Sequence, residues 1–362
     1  MKDINYKLVC VIPSLSLGGM ERVMSLLLNK FSKKNVELHL ILFGKSREIK
    51  YSIPEHIIVH SPSFSYSESN RFIFTLKTIV YIRKEIKMIK PDSILSFGEY
   101  WNNLVLLSLL MLKHPVYISD RSQPNKDLGK LQNRLRDCLY PKASGYIAQT
   151  IKASEIASKN KWNSNITVIG NPIMQNSVQD VDRRENIILT VGRLITTKHI
   201  DELIDIFDII NNKDWKLVVV GGNSKKLNLL EEYRYLVTKL GLKDQVQLVG
   251  TQSNLEDYYR KAKIFAFTSS SEGFPNALGE AMSFGLPVIA YNCTAGPSDL
   301  ITDGENGFLI EERDKNSYVE KLNLLIENSD LRNSLGVNSL VKVNDFNVDK
   351  IANKFYEFIM NN

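Results

Sequence analysis

The sequence predicts an α/β protein built from two Rossmann-like domains, each a doubly wound parallel sheet. Short apolar runs alternate with amphipathic helical segments along the whole chain, as they do in parallel α/β domains. The 362 residues also exceed what one ordinary hydrophobic core supports. The two halves differ in charge, since residues 1–170 carry a net charge of +12 and residues 171–362 a net charge of −6. We therefore expect two domains with different partners.

Six strand candidates lie in each half, with helical segments between most neighbouring pairs. In the first half they are residues 7–12, 36–43, 57–60, 93–96, 116–119 and 145–148. In the second half they are residues 187–191, 216–220, 246–248, 264–267, 287–290 and 307–310. An Asn-Pro pair followed by a polar stretch separates the halves at residues 171–186. We expect domains at residues 1–170 and 171–345, followed by a helix at 346–362, with the substrate between the domains.

Composition restricts the class of protein. The chain is 43% hydrophobic and 24% charged, as in ordinary globular proteins. No apolar run reaches the roughly 18 residues of a membrane span, and the N-terminus lacks a signal-peptide pattern. Cys10, Cys138 and Cys293 are few and far apart. This usage favours a reducing, cytoplasmic location over a disulfide framework or a zinc site.

The most informative segment is residues 270–282, Ser-Ser-Glu-Gly-Phe-Pro-Asn-Ala-Leu-Gly-Glu-Ala-Met, which follows an apolar strand candidate. Pro275 suits the first turn of a helix, where its missing N–H is not needed. The free N–H groups of that turn point back toward Glu272 and form a site for an anion. Glu280 lies two turns deeper and suits a separate hydroxyl contact better than a glycosidase-like acid/base pair. The combination fits a sugar nucleotide.

Cations follow the first strand of the second half. Arg193 suits bidentate binding of phosphate oxygens, and Lys198 adds a movable point charge. The pair could neutralise a departing diphosphate without a metal, or it could be a surface pair near Asp201 and Glu202. In the first half, Gly18-Gly19 opens a helix after a strand. These glycines either admit a phosphate to backbone N–H groups or form a tight turn without a ligand.

No metal site is expected from the sequence. Asp180-Val181-Asp182 has the Asp-x-Asp form of metal-dependent sugar transferases, but it lies in the polar stretch between the halves. We interpret it as a solvated linker. The five histidines show no ligand spacing.

A basic amphipathic helix is predicted at residues 71–90, which hold six Lys or Arg residues and the single acid Glu85. Such a helix can lie on an anionic membrane surface. An ordinary surface helix with a solvated basic face is the alternative.

These motifs, in this order, resemble those of glycosyltransferase family four, retaining enzymes with the GT-B fold, and particularly its bacterial polysaccharide members. The likeness covers nearly the whole chain and is strongest at residues 187–310. The motifs that carry it are Glu272-Gly-Phe-Pro-Asn-Ala-Leu-Gly-Glu280, Val191-Gly-Arg-Leu with Lys198, Gly285-Leu-Pro-Val-Ile-Ala, Gly296-Pro-Ser, Asp303-Gly-Glu-Asn-Gly307 and Leu17-Gly-Gly-Met-Glu-Arg-Val23.

The resemblance implies a role for each matching residue. Glu272 would contact the donor sugar and Glu280 the ribose hydroxyls, while backbone N–H groups of residues 273–276 hold the sugar and diphosphate. Fixed cations would stabilise the leaving diphosphate. The implied catalytic residues are Arg193, Lys198 and Glu272. The implied donor-binding residues are Gly18, Gly19, Gly192, Gly273, Phe274, Pro275, Asn276, Ala277, Leu278 and Glu280. Residues 349–360 match the family's last helix, which often crosses back to the first domain.

Two departures from the family pattern affect the site. Many relatives have a histidine near the donor sugar, whereas this chain has Ile118-Ser-Asp-Arg-Ser122 in that region. The candidate sugar-facing or acceptor-facing group is therefore Asp120 or Arg121, or it lies elsewhere in the chain. The glycine that usually follows the lysine of the Arg…Lys loop is replaced by His199.

The expected function is retaining transfer of a sugar from a nucleotide-sugar donor, UDP-linked, to a growing glycan of a bacterial surface polysaccharide. The acceptor is expected to be lipid-linked through polyprenyl diphosphate, or soluble, and neither a cofactor nor a nucleic acid is expected. A peripheral position on the cytoplasmic face of the inner membrane fits the basic first half. Five basic residues of this half are candidates to hold the phosphates of the acceptor: Arg121, Lys126, Lys130, Arg134 and Arg136. Alternatively, they form a solvated basic helix. The alternatives are a nucleotide-sugar epimerase of GT-B build, a sugar phosphorylase and a two-domain sugar-binding protein.

Overall fold

The computed structural model describes residues 6–66, 70–176, 183–224 and 227–360. The chain divides into two compact units, one of Met1–Pro172 with Val348–Asn362 and the other of Ile173–Asn347. The sequence placed the two boundaries after residues 170 and 345, which is two residues before the observed boundary in each case. Each unit is built around its own parallel sheet, so the predicted α/β class is confirmed.

The first unit has a parallel sheet covered by helices. Its described strands are β1 (Lys7–Ile12), β2 (Glu37–Leu42), β3 (Ile58–His60), β4 (Ser93–Phe97), β5 (Val116–Ser119), β6 (Gly145–Ala148) and β7 (Ile166–Val168). Its described helices are α1 (Gly19–Phe31), α2 (Arg71–Ile89), α3 (Glu99–Leu109), α4 (Lys130–Leu139), α5 (Ile151–Lys159) and α13 (Val348–Met360). The strand order is β3-β2-β1-β4-β5-β6-β7. All six predicted strands form, and β7 is additional, because three partly exposed residues give too short an apolar signal.

The last helix, α13, packs on the first unit through aromatic side chains. Phe355 contacts Phe97 at the end of β4 with ring centroids 6.0 Å apart, and Phe358 contacts Tyr117 of β5 at 5.4 Å. Strands β4 and β5 are buried along their whole length, as expected for parallel strands covered on both faces. The apolar face of α13 completes that cover.

The second unit repeats this architecture. Its described strands are β8 (Ile187–Val191), β9 (Lys216–Val220), β10 (Val246–Gly250), β11 (Ile264–Phe267), β12 (Val288–Asn292) and β13 (Gly307–Glu311). Its described helices are α6 (Ile200–Ile210), α7 (Leu229–Lys239), α8 (Glu256–Lys261), α9 (Asn276–Ser283), α10 (Pro297–Leu300), α11 (Lys315–Glu327) and α12 (Ser329–Val343). The order β10-β9-β8-β11-β12-β13 contains each predicted strand of this half.

The strand orders mark where a ligand is expected. In the second unit the order reverses between β8 and β11, and in the first unit it reverses between β1 and β4. Ligands of open α/β sheets bind beyond the carboxyl ends of the strands at such a reversal. Arg193 follows β8 and Glu272 follows β11, so the fold brings these two loops to one crevice of the second unit.

Two sequence expectations concern features other than the sheets. Asp180-Val181-Asp182 lies outside the described residues. Across the described ranges, no helix combines the length and the apolar character needed to span a bilayer.

Candidate functional site

The loop after β8 is held between the loops that follow its two neighbouring strands. Leu194 donates its backbone N–H to the Gly222 carbonyl at 2.9 Å, and Gly192 donates to the Val220 carbonyl at 2.9 Å. Gly221 has φ of 154°, and a Cβ there would lie 1.7 Å from the Gly192 oxygen. Only glycine allows this close approach. The backbone before and after Arg193 is therefore fixed.

The central feature of the site is an ion pair between Lys198 and Glu272. The Lys198 Nζ lies 2.5 Å from the Glu272 Oε1, and the two side chains are only 18% and 13% exposed. The Lys198 ammonium also lies 5.0 Å from the ring centre of Phe267, the last residue of β11. Residues predicted to contact the diphosphate and the sugar separately are thus bonded to each other.

The turn that carries Lys198 is attached to the end of β11. Thr268 donates its hydroxyl to the Lys198 carbonyl at 2.8 Å, and Ser270 donates its N–H to the Thr197 carbonyl at 2.9 Å. His199 has a left-handed backbone with φ of 47°, and its Nε2 lies 2.9 Å from the Ser270 hydroxyl. Histidine enters this region more readily than most residues. The structure therefore shows how His199 replaces the family's glycine, since the ring bonds to the loop before Glu272.

Arg193, in the loop after β8, is exposed. Its guanidinium makes neither a hydrogen bond nor an ion pair with the described residues. Five N–H donors are therefore available to a ligand beside the Lys198–Glu272 pair.

The N-terminus of α9 supplies backbone donors in a modified arrangement. Pro275 is the N-cap, with ψ of 76°, and not a residue of the first turn as predicted. It has no N–H, and the Asn276 N–H donates to the Phe274 carbonyl at 3.0 Å. In the described part of the chain, the N–H groups of Gly273, Phe274 and Ala277 have no acceptor. The sequence predicted that the backbone N–H groups of residues 273–276 are available to a ligand. In the structure, the available N–H groups are these three.

Side chains of α9 divide between the crevice and the core. Leu278 is fully buried, and its N–H donates to the Pro275 carbonyl. Leu278 therefore packs in the core beneath the site. This position argues against the prediction that Leu278 contacts the donor. Glu280 is half-buried, and its Oε2 accepts a hydrogen bond of 3.2 Å from the Tyr259 hydroxyl. Phe274 packs on Phe346 with ring centroids 5.5 Å apart.

In the first unit, Gly18 and Gly19 lie at the start of α1. Gly18 is the N-cap, and its N–H donates to the Tyr51 hydroxyl at 3.3 Å, whereas Gly19 is exposed. The Glu21 carboxylate lies beside Gly18, where a Cβ would be 2.2 Å from its Oε2. Burial raises the pKa of Glu21. A phosphate at Gly18 would require this carboxylate to move, which the sequence did not indicate.

Asp120 lies in a buried network and not on a binding surface. Its Oδ1 accepts hydrogen bonds from Tyr140 at 2.6 Å and Asn102 at 3.0 Å, and its Oδ2 accepts one from Tyr146 at 3.3 Å. The residue is 7% exposed. This position argues against the prediction that Asp120 contacts the sugar. Arg121 is half-buried and donates to Asn171 at 2.6 Å.

Replacing Asp120 with asparagine is expected to change the pH dependence of stability. Burial, with the nearby Glu99 charge, raises the pKa of Asp120 from 3.8 to about 6. Folding therefore favours the protonated acid, and this contribution is lost as the pH rises through about 6. We expect Asp120→Asn to gain stability relative to the unchanged protein as the pH rises from about 4 to about 6, with no further gain above about pH 7, measured by urea unfolding. Parallel pH profiles would contradict this account.

Other cations of the first unit are divided between surface and core. Lys126 forms an ion pair of 3.0 Å with Glu99, which follows β4 and also accepts a hydrogen bond from Ser122. Arg136 is buried over the Trp162 ring, 4.1 Å from its centre. It cannot hold an acceptor phosphate from there. Lys130 and Arg134 lie on α4 with Arg136, and sequence reasoning did not single out Glu99.

Within the described ranges, no group of three or more His, Cys, Asp or Glu side chains could hold a metal ion.

Comparisons with known proteins add family information. Residues 175–340 match the family model described as glycosyl transferases group 1. The chain is 27% identical to the amylovoran biosynthesis glycosyltransferase AmsD of Erwinia amylovora, over 98% of this chain and 99% of that protein. It is 28% identical, over the same shares, to a Campylobacter jejuni enzyme named N-acetylgalactosamine-N,N'-diacetylbacillosaminyl-diphospho-undecaprenol 4-alpha-N-acetylgalactosaminyltransferase.

Solved structures show the same fold. The chain superposes on Anabaena HepE in complex with UDP with a TM-score of 0.82, at 18% identity, over 98% of this chain and 100% of that one. It superposes on the lipopolysaccharide outer core galactosyltransferase WaaB with a TM-score of 0.79, at 21% identity, over 98% and 99%.

Proposed function

We propose a specific reaction for this chain, a glycosyltransferase of the GT-B fold whose residues 175–340 match the model of the group 1 glycosyl transferases. It transfers a sugar from a nucleotide-sugar donor, UDP-linked, to a polyprenyl-diphosphate-linked glycan of a bacterial surface polysaccharide, with retention of anomeric configuration. The observation that carries the proposal is the half-buried Lys198–Glu272 pair beside the exposed Arg193. A carboxylate for sugar hydroxyls and two cations for a diphosphate meet at one sheet edge.

The proposed step breaks the bond between the anomeric carbon and the diphosphate oxygen. The acceptor hydroxyl oxygen bonds to that carbon, and its proton passes to the departing nucleoside diphosphate. Negative charge grows on the diphosphate as the bond breaks, so fixed positive groups that face it lower the barrier. Arg193, Lys198 and the free N–H groups of Gly273, Phe274 and Ala277 supply that charge in our proposal. Because these groups are permanent, we also propose that transfer needs no metal.

The acceptor is proposed by analogy with the relatives. The Campylobacter enzyme's name specifies a diphospho-undecaprenol acceptor, and a poly(ribitol-phosphate) alpha-N-acetylglucosaminyltransferase of Staphylococcus aureus, 29% identical over 54% of this chain, is a further relative. Both names describe anionic, phosphate-bearing acceptors. The net charge of +12 on residues 1–170 fits such a substrate.

A thermal-shift screen of nucleotide sugars tests the proposed donor. A true donor stabilises the folded state by about 2.7 kcal/mol at 100 times its dissociation constant. We expect one or a few UDP-sugars to raise the Tm and free sugars to leave it unchanged. Stabilisation by free sugar without nucleotide would favour a sugar-binding protein and contradict the proposal.

The surface of α2 supports a proposal of peripheral membrane contact on the cytoplasmic face. Phe72 is 74% exposed and Val80 is 66% exposed, and Lys84 and Lys87 on the same helix are exposed as well. Arg83 differs from the prediction, because it donates to the carbonyls of Ser108 and Leu110 and is not part of this face. Exposed apolar and basic groups on one helix match an anionic lipid surface.

We expect the protein to sediment with anionic vesicles at low salt and to detach as salt rises, since screening weakens charge attraction. Lys84→Glu with Lys87→Glu should lower the bound fraction several-fold. Lys239→Glu with Lys243→Glu, which reverses two exposed lysines at and just after the end of α7, is the matched control. Equal sedimentation of the α2 variant and the control would exclude α2 as the contact.

A further inference from the structure

A second cavity of about 410 Å³ lies in the second unit, away from the site described above. Three residues of its lining lie just before strands. Lys263 directly precedes β11, Pro287 directly precedes β12, and Arg184 lies three positions before β8. Arg193 and Glu272 follow the ends of β8 and β11. The cavity is therefore at the amino edge of the sheet, one strand length from the carboxyl edge. A strand of this kind spans roughly 3.3 Å per residue.

Three cations line this cavity, and its lining contains no carboxylate. In the described part of the chain, none of Arg184, Lys263 and Arg332 forms an ion pair with an acidic residue. Most other lining residues are small or polar. Unpaired cations that converge on a partly enclosed space are unfavourable, because each loses water and repels the others. An anionic ligand relieves both effects.

The cations are held in place by bonds that leave donors available. Lys263 uses one N–H, for Asn186 Oδ1 at 2.7 Å. Arg332 donates Nη1 to the carbonyls of Leu325 and Ile326 at 2.7 and 2.9 Å. Its Nη2 and Nε have no acceptor in the described ranges. These bonds orient the guanidinium before a ligand arrives, so binding loses little conformational entropy.

Arg184 is the most enclosed of the three cations, at 8% exposed. It donates to the Phe284 carbonyl and, at 3.2 Å, to the Gly285 carbonyl, whereas its buried Nε has no partner. A buried donor without a partner needs an explanation, and the positive charge beside this cavity is consistent with an anion site. Burial lowers the pKa of Lys263, and the Arg332 charge adds to this effect.

The start of α12 forms another part of the wall. Ser329 and Asn333, in its first two turns, line the cavity. The positive end of a 15-residue helix therefore adds to the three cations. Gly336 of α12 and Gly285 of the loop before β12 both line the cavity and are in close contact, because a Cβ on Gly336 would lie 2.4 Å from the Gly285 oxygen. Helix α12 thus packs directly on the loop before β12.

We propose that this cavity binds a small molecule that carries one or two phosphate groups, at a site separate from the donor site. The volume lies within the range of small-molecule pockets. Three cations and a helix N-terminus match the two to three negative charges of a diphosphate. Arginine forks bind phosphate oxygens in pairs, and the ammonium adds a point charge. Apolar Pro287, Val337 and Leu340 line the remaining wall and contact the organic part of the ligand.

Isothermal titration calorimetry of the full chain with inorganic diphosphate tests this proposal. The titrations use the Arg193→Ala background, which weakens the competing donor site. Asn333→Glu places a negative charge at the cavity mouth on an exposed position, and Ser334→Glu places the same charge on the neighbouring exposed position outside the lining. Both changes affect the start of α12 alike. We expect Asn333→Glu to weaken diphosphate binding at least about tenfold and Ser334→Glu to leave it within about twofold.

Lys263→Met is a second variant that removes one cation and keeps most of the unbranched side chain. It should weaken diphosphate binding about tenfold, with a thermal melt to confirm that the chain folds. Equal affinity of the Asn333→Glu and Ser334→Glu chains would overturn the proposal. So would an Arg193→Ala chain that does not bind diphosphate at millimolar concentration.

Discussion

Replacing Arg193 with alanine is expected to lower kcat about 100- to 1,000-fold while the fold stays intact. Removal of one fixed group that stabilises developing charge typically has an effect of this size. The side chain is exposed and bonds to none of the described residues, so its loss removes no folding contact. Steady-state kinetics with the donor found by thermal shift measure the effect.

Arg193→Lys and Arg234→Ala are the controls for this prediction. Lysine keeps the charge but loses the bidentate geometry, so a partial loss of activity is expected. Arg234 is an exposed arginine on α7 that pairs with Glu231, and its replacement should leave kcat unchanged. Full activity of Arg193→Ala would show that this guanidinium does not stabilise the leaving group.

Replacing Glu272 with glutamine is expected to lower kcat/KM about 100-fold, because two interactions are lost together. The carboxylate is proposed to hold a sugar hydroxyl through a charge-assisted hydrogen bond, and it bonds to Lys198 at 2.5 Å. Without that partner, the ammonium of Lys198 is no longer fixed beside Phe267. The loss should therefore appear in kcat as well as in KM.

A double-mutant cycle separates the two interactions at Glu272. If Glu272 acts partly by positioning Lys198, then Glu272→Gln and Lys198→Met together cost less than the sum of the single changes. Glu280→Gln is the matched control, because its proposed ribose contact acts equally in the ground state and the transition state. It should raise the donor KM and leave kcat nearly unchanged. A simple sum in the cycle would show that Glu272 and Lys198 act independently.

The sequence predicted the sheets well because buried parallel strands carry a strong local signal. Runs such as Ile264-Phe-Ala-Phe267 are apolar throughout and end at turn residues. It also predicted which loops meet, since strand order places the ends of β8 and β11 side by side. Loop geometry was harder to predict. Pro275 became an N-cap because its ψ angle lies outside the helical region, which sequence spacing does not determine.

Partners of charged side chains could not be predicted from their spacing. Lys198 and Glu272 are 74 positions apart and bond to each other, whereas each was expected to face the ligand. Asp120 follows a strand as site residues do, yet two tyrosines and an asparagine hold it in the core. The cations of the second cavity come from three separated segments. Only the tertiary structure brings them together.

The most direct test of the proposed reaction is the product formed from the donor and a polyprenyl-diphosphate-linked glycan. Mass spectrometry should show the acceptor heavier by one sugar residue, together with release of the nucleoside diphosphate. Nuclear magnetic resonance should show the new linkage with the same anomeric configuration as the donor. An inverted linkage would contradict retaining transfer, and a nucleotide sugar converted to its epimer with the acceptor unchanged would contradict transfer altogether.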